Sequence, residues 1–400
     1  MSIRRKTDEI WELIFRDAWH AKTGLVYDFR TAPGTAPDTG GFFVHLPTPE
    51  EIARSYPNPC GWGTGMEDSM INGSLMLEAV IYRYDAERDE TMRDYAGKLL
   101  QGIRLCATVS PDRGFLARSV SPADGVSHYP ESSRDQYTHC VYALYRYLHS
   151  ALCTGEQREW ITDALVSFAE RAERNVTPET GFDYLREDGG HSFVMGMWGK
   201  HIWAHEVHRL PMLYLAAYDA SGDSHWLEKY RSIRDEGFVL TEDHYAPHTL
   251  LYGFLQMQTS LRLLYDLESE PLYKNRYLSL MQRVAGRMDE YPSFPERLDP
   301  EEVNRPFALW RDVRQENWGT IDGLEYRLWT GRWDSVVPIR NAVEVVNIIR
   351  LCPGADVPER YIRAMDLSLA VLDGKRYPAS NLASAAAVYW DLKRMGADPG

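Results

Sequence analysis

One helix ending returns along the chain and restricts the possible folds more than any other feature. "IYRYD" closes on Asp85, "LAAYDASGD" passes Asp219, "RLLYDLESE" passes Asp266 and "VYWDLKRMG" passes Asp391. "LYRYLHSALCTGEQ" fills the same slot without the aspartate. The members recur at roughly 47 to 71 residues, with one double gap before the last, a period that repeating helical hairpins produce. Before each ending, apolar positions step by three and four, as on a helix that buries a face. Pro211, Pro247, Pro338 and Pro378 stand at or near the starts of four of these segments, where a helix tolerates a residue without an N–H.

A second element follows the alternate helices. "KTGLVYDFR", "DRGFLARSV", "ETGFDYLRE" and "DEGFVLTED" place Gly24, Gly114, Gly181 and Gly237 before a short apolar step. Glycine there permits the left-handed turn that ends a helix. The combined pattern predicts helices near 6–21, 66–84, 88–108, 133–150, 155–175, 200–219, 223–236, 246–266, 271–289, 338–351, 357–373 and 378–395. Twelve helices in six hairpins define an all-α (α/α)6 toroid, with residues 1–400 as one domain. The proline-led, aromatic, weakly charged series is the inner ring, near 66–84, 133–150, 200–219, 246–266, 338–351 and 378–395. An open solenoid is the alternative, but it would show a more uniform period and no Trp-rich loops. The repeat resembles that of six-hairpin glycosidases over nearly the full chain.

Composition narrows the function. A formal charge of −14 argues against a broad nucleic-acid surface, which needs clustered Lys and Arg. No apolar run approaches the roughly 20 residues of a membrane span, and "MSIRRKTDEIWELIF" reads as an amphipathic helix rather than a signal peptide. Cys60, Cys106, Cys140, Cys153 and Cys352 form no close metal spacing, and their odd, scattered set fits a cytoplasmic enzyme. The expectation is a cytoplasmic protein without a nucleic-acid or membrane partner; oligomeric state stays open. Twelve tryptophans and 24 tyrosines are more telling. Trp62, Trp198, Trp203, Trp310 and Trp318 fall in glycine-rich or irregular stretches. Aromatic faces in loops can stack on sugar rings; they can equally plug the core.

Two inner helices open on carboxylates, and an inner helix start faces the mouth of a central cavity. "GWGTGMEDSMINGSLMLEA" brings Glu67 and Asp68, and "ESSRDQYTHCVYALYRYLHS" brings Asp135 behind an N-cap at Ser132 or Ser133. The two starts lie about one hairpin apart, so their carboxylates would face each other from neighbouring helices. Paired carboxylates suit glycosidic chemistry, where one holds a proton and the other stays ionised. First-turn acids also simply complement the helix dipole. Asp68 and Asp135 resemble the two inner-helix aspartates of unsaturated glucuronyl and rhamnogalacturonyl hydrolases. That resemblance implies Asp135 as proton donor and water activator on an unsaturated uronyl sugar, with Asp68 binding sugar hydroxyls. The family's Asp-Asp pair before the second helix is absent; the chain reads "SSRDQ".

"GHSFVMGMWGKHIWAHEVHRLP" holds His191, His201, His205 and His208. On one helix, the last three would share a face, as zinc ligands can, yet there is no HExxH, and Pro211 follows closely. The expectation is no metal and no cofactor. His201, His205 and His208 then bind substrate, with Trp62, Glu67, Arg134, His139, Trp198 and Trp318. Lys200, Arg209 and Arg134 could supply a positive field for an acidic sugar. The charged segment 311–329 is expected to be a loop over the cavity, with Arg311, Arg314 and Trp318 reaching inward.

The leading expectation is a glycoside hydrolase acting on oligosaccharides, unsaturated or saturated uronyl sugars among them, with Asp135 and Asp68 catalytic. Three alternatives stand beside it: an N-acylglucosamine 2-epimerase-like isomerase using His139, His201, His205 and His248; a polysaccharide lyase using Tyr137 and His139; and a sugar-binding toroid without catalysis.

Overall fold

A computed structural model describes residues 3–28, 43, 45–243, 249–290, 298–304, 309–329, 333–373 and 379–396. Its long helices are α1 (Ile3–Leu13), α2 (Ser69–Glu87), α3 (Met92–Thr108), α4 (Arg134–Leu148), α5 (Gly155–Asn175) and α6 (Arg209–Ser221). The second half adds α7 (Ser224–Asp243), α8 (Leu251–Leu267), α9 (Pro271–Gly286), α10 (Trp333–Leu351), α11 (Glu359–Ala370) and α12 (Ala379–Arg394). The even-numbered helices pack in chain order, α2 on α4, α4 on α6, α6 on α8, α8 on α10 and α10 on α12. Helix α12 then returns to α2, so the ring closes. The odd-numbered helices lie outside: α3 covers α2, α5 and α7 cover α6, α9 covers α8, α11 covers α10 and α1 covers α12. This is the six-hairpin toroid, and the ring closure excludes an open solenoid.

Local chemistry explains the alternation. Inner helices bury residues on every side; on α2, Asn72 through Tyr82 are buried without a break. On α12, Ala383, Ala385, Ala386 and Ala387 are all at 0% exposure, and such small side chains let α12 approach α2 closely. Outer helices are buried on one stripe only, as α3 is at Ala96, Leu99, Leu100, Ile103 and Cys106. Ser133 caps α4, its hydroxyl accepting from the Gln136 N–H at 3.3 Å. Gly114 (φ +86°) makes the left-handed turn its spacing predicted, and a Cβ there would lie 2.1 Å from the Ser167 carbonyl.

Three expectations change. Helix α7 runs through Gly237 to Asp243 instead of stopping there; Trp198 packs where that residue lacks a side chain. The predicted 200–219 helix is broken: a short helix, Ala204–Val207, ends at His208, which then precedes α6. Pro338 lies inside α10 rather than at its start. Pro247 and Pro378 lie outside the described residues.

The segment predicted as a loop contains an antiparallel hairpin, β1 (Gln315–Ile321) and β2 (Leu324–Trp329). Its turn residues Asp322 and Gly323 both have positive φ (48° and 78°), the backbone that joins two twisted strands in two residues. The register slips between Asn317 and Gly319, leaving Trp318 as the extra residue of a bulge. A bulge re-aims a side chain, and here it turns Trp318 to the cavity.

Candidate active site

At the N-terminal ends of α2 and α4 the ring opens into a cleft of about 600 Å³. Asp68 and Asp135 both line it, with Glu67, Trp62, Arg118, Tyr252, Gln256, Trp318 and Arg340. A narrower extension of about 90 Å³ continues inward past Asp68 to Leu75, His139 and Glu344. The two carboxylates expected from sequence thus share one cavity, each at the head of its inner helix.

Their surroundings drive them apart electrostatically. Arg209 Nη1 donates to Asp135 Oδ1 at 2.5 Å, and Arg209 Nη2 donates to Gln256 Oε1 at 2.5 Å. Burial works against the Asp135 charge, but Arg209 and then Arg134 outweigh it and hold the group ionised, at about 2. Burial pushes the Asp68 carboxyl up from its ordinary value, and the Asp135 charge adds to the push. Arg118 at 3.7 Å and the Gln136 Nε2 donor at 2.9 Å oppose that rise without cancelling it. Glu67 is deeper and is held well above the usual carboxylate range by burial, then by Asp68 and Asp28. Its main tie is the Gly63 N–H, which donates to Oε2. Asp28, Glu67 and Asp68 each offer an oxygen within 4.8 Å of the others, an acidic grouping that explains the crowding.

An aromatic wall stands over the carboxylates. Trp62 and Trp318 meet edge to face at 5.9 Å between centroids, and Phe193 lies 5.1 Å from Trp318. Tyr326 closes the group behind them at 6.0 Å from Trp62 and 4.9 Å from Phe193. It is anchored by donating its hydroxyl to the buried Glu131. Trp318 and Phe193 remain 54% and 41% exposed, so the wall presents ring surface to the cavity mouth.

Other expected residues lie elsewhere. Arg134 pairs with Glu206 and donates to the Gly196 carbonyl at 2.9 Å, so it fastens the 191–197 segment instead of facing the cleft. Trp198 is buried and donates Nε1 to Glu236 on α7 at 3.4 Å. The three histidines diverge because the helix breaks: His201 is exposed, and His205 sits beside Glu206 and Gly253. His208 is buried against Phe238 and Tyr277, with Nε2 2.8 Å from Thr241 Oγ1. They form no shared ligand set. His139 does reach the inner extension, where burial, reinforced by Arg209 and Arg340, keeps it neutral at about 4. Tyr137 faces the other way, donating to the Gly114 carbonyl at 2.9 Å and meeting Tyr184 edge to face, so the lyase pair does not converge. Arg311 turns to Glu51 and the His45 and Leu46 carbonyls, away from the cleft. His248 lies outside the described residues.

Sequence reading missed Arg118, Gln136, Tyr252, Gln256 and Arg340. Arg118 donates to the Glu67 carbonyl at 3.1 Å and the Ser132 carbonyl at 3.2 Å, tying both carboxylate-bearing helix starts together. Arg340 Nε donates to Glu344 at 2.7 Å, and its guanidinium lies 5.1 Å from the Tyr252 ring centroid. Only Arg118 had a local signal, since it follows the Gly114 turn that leads back to the ring.

No protein-family model and no curated protein matches the sequence. Solved structures do resemble it. One is a sugar epimerase from a ruminal bacterium, at 11% identity and a TM-score of 0.52, covering 98% of this chain and 99% of that one. Another is a glycoside hydrolase family 76 mannosidase from Bacteroides thetaiotaomicron VPI-5482, at 12% identity and a TM-score of 0.52, covering 98% of both chains. At these identities the likeness establishes the fold alone, an (α/α)6 toroid. No helix among the described residues is long and apolar enough to cross a membrane.

Proposed function

We propose that the protein is a glycoside hydrolase acting on short oligosaccharides, with the sugar stacked on Trp62 and Trp318. The observation that carries this reading is the shared cleft of Asp68 and Asp135, whose proton affinities are displaced in opposite directions. Such a pair divides acid from anion. Asp68, pushed up, gives its proton to the glycosidic oxygen and takes one back from the water that adds to the anomeric carbon. Asp135, fixed and ionised by Arg209, faces the positive charge that develops on the sugar. The proton-holding role therefore falls to Asp68 here, the reverse of what the unsaturated-uronide resemblance implies. Arg118 and Arg340 at the cleft wall are the groups that would receive a uronic carboxylate.

A second reading has its own observation. His139 reaches the cleft neutral, with Nδ1 unpartnered, as a proton carrier of a sugar epimerase would. One experiment separates the two. Incubation with a panel of saturated and unsaturated oligosaccharides in D₂O, followed by NMR, reports cleavage for the hydrolase and solvent deuterium beside the former carbonyl for the epimerase. Asp135→Asn should reduce cleavage about 10²–10³-fold, the usual cost of losing a fixed transition-state charge partner. Cleavage by Asp135→Asn at the wild-type rate would sink the role given to Asp135, and deuterium uptake without cleavage would sink the hydrolase.

A further inference from the structure

The far end of the ring, where the inner helices finish, holds a separate cavity of about 270 Å³. It lies about 21 Å from the mouth, taking about 1.5 Å per residue along α2 from Asp68 to Tyr82. Arg146 on α4, Arg262 on α8, Arg350 on α10 and Arg394 on α12 line it, with Asp391 and Tyr82. Met395, at its rim, is 52% exposed, so the cavity meets solvent.

Its charges do not balance. Arg262 Nε donates to Asp266 Oδ2 at 2.9 Å, and its Nη1 donates to the Leu351 carbonyl at 3.2 Å. Arg350 and Arg394 share one carboxylate, Asp391, with Arg394 Nε at 2.9 Å from Oδ1. Arg146 makes no hydrogen bond or ion pair among the described residues, and its buried Nε has no acceptor; the buried Nε of Arg350 has none either. The guanidiniums of Arg146, Arg350 and Arg394 all lie close to the Tyr82 ring, at 5.7, 5.4 and 5.3 Å from its centroid. The nearest further acid, Glu78, accepts from the Tyr82 hydroxyl at 3.2 Å, and burial, against Arg350, pushes it up to about 7. It therefore cancels only part of one charge at neutral pH. Carbonyls at helix C-termini attract cations, which accounts for Arg262 on Leu351 but not for Arg146, which reaches no carbonyl.

We propose that this cavity binds a phosphate-class oxyanion, either inorganic phosphate or a phosphomonoester, with Arg146 as principal ligand and Arg350 Nε as second donor. An oxyanion supplies the acceptors that these guanidiniums lack, and guanidinium geometry suits it. The volume equals that of about nine waters at about 30 Å³ each, room for more than a bare ion. Bound there, the anion would cross-link α4, α10 and α12.

Calorimetric titration at constant ionic strength tests this, using inorganic phosphate and methyl phosphate as probes. The expected result is binding of at least one, with the tighter probe identifying the source. Arg146→Met should weaken it about 10- to 100-fold, as for loss of a hydrogen bond to a charged group. Arg113→Gln, which removes an exposed arginine paired with Asp163 and Glu170 on the outer helix α5, should leave it unchanged. If Arg146→Met does not fold, Arg146→Lys keeps the charge without the planar fork and should still bind more weakly than wild type. Absence of binding of both probes at 10 mM (about the top of a specific range) overturns the proposal. So does wild-type affinity in whichever Arg146 variant folds.

Discussion

At the mouth, Asp68 and Asp135 stand at helix N-termini, where the dipole favours a carboxylate. At the base, Asp266 and Asp391 stand near helix C-termini, where it does not. Asp135 follows that expectation, but Asp68 and Asp391 invert it. Asp391, in the unfavourable place, is the more securely ionised, because Arg350 and Arg394 together overcome its burial and lower its pKa. Asp68, in the favourable place, is raised. The dipole is a small bias, and the nearest guanidinium decides. At the base carboxylates serve the structure; at the mouth Arg118, 3.7 Å from Asp68, does not offset the burial of that carboxylate, and that is where chemistry can happen.

The widest gap between the ends should come from matched amide substitutions. Asp68→Asn removes the proposed proton donor and should lower kcat about 10²–10⁴-fold. It should also raise the melting temperature at neutral pH. A raised folded pKa means that ionised Asp68 costs stability, a cost that grows as pH climbs above the unfolded value of about 3.9 and that asparagine removes. In the wild type, kcat should fall as pH rises through the Asp68 pKa. A variant that is both slow and less stable would contradict this account of Asp68.

Asp391→Asn should do the opposite. It strands Arg350 and Arg394, so denaturant unfolding should show a loss of about 3–5 kcal/mol, the cost of breaking a buried pair. Residual activity per folded molecule should stay near wild type. The sign of its pH dependence is fixed: a lowered folded pKa gives stability present above about 3.9 and lost as pH falls through the folded value. The difference between wild type and variant should shrink in acid.

Trp318→Ala sharpens the comparison within the mouth itself. It removes ring surface but no charge, so KM should rise about 2- to 12-fold with kcat little changed, in line with a single aromatic contact of about 0.5–1.5 kcal/mol. The smallest effect belongs to His201→Ala. This exposed residue lines neither cavity, so stability should stay within about 0.5 kcal/mol and KM should not move.

The ring was legible because its helices repeat, and Asp68 and Asp135 were legible because both stand at the same place in that repeat. Arg134 shows where such reading stops. One residue before Asp135 on the same helix, it points about 100° away and meets Glu206. Arg209, Gln256 and Arg340 come from three other inner helices, and no sequence spacing tells which side chain a closed ring will aim at Asp135 or Asp68. The hairpin had a signal that was overlooked: "IDGLEY" places Asp-Gly between two apolar positions, the strongest short-range sign of a two-residue turn. Helical expectation for the chain as a whole hid it. The histidines misled for a related reason, since their spacing implied one face of one helix and the chain breaks at His208.

The seam between α2 and α12 has a consequence for synthesis. Lys393 Nζ donates to Glu87 Oε1 at 3.3 Å across 306 positions of sequence, so the ring is fastened by residues made early and late. Until α12 leaves the ribosome, the flank of α2 that it covers has no partner, and Arg350 lacks Asp391. A nascent chain therefore carries its candidate catalytic aspartates and every residue that lines their cleft before the ring that holds them is closed. Chaperone occupancy should be highest just before α12 emerges, and a stop codon placed ahead of it would yield a chain with an open apolar groove where the complete protein has a closed ring.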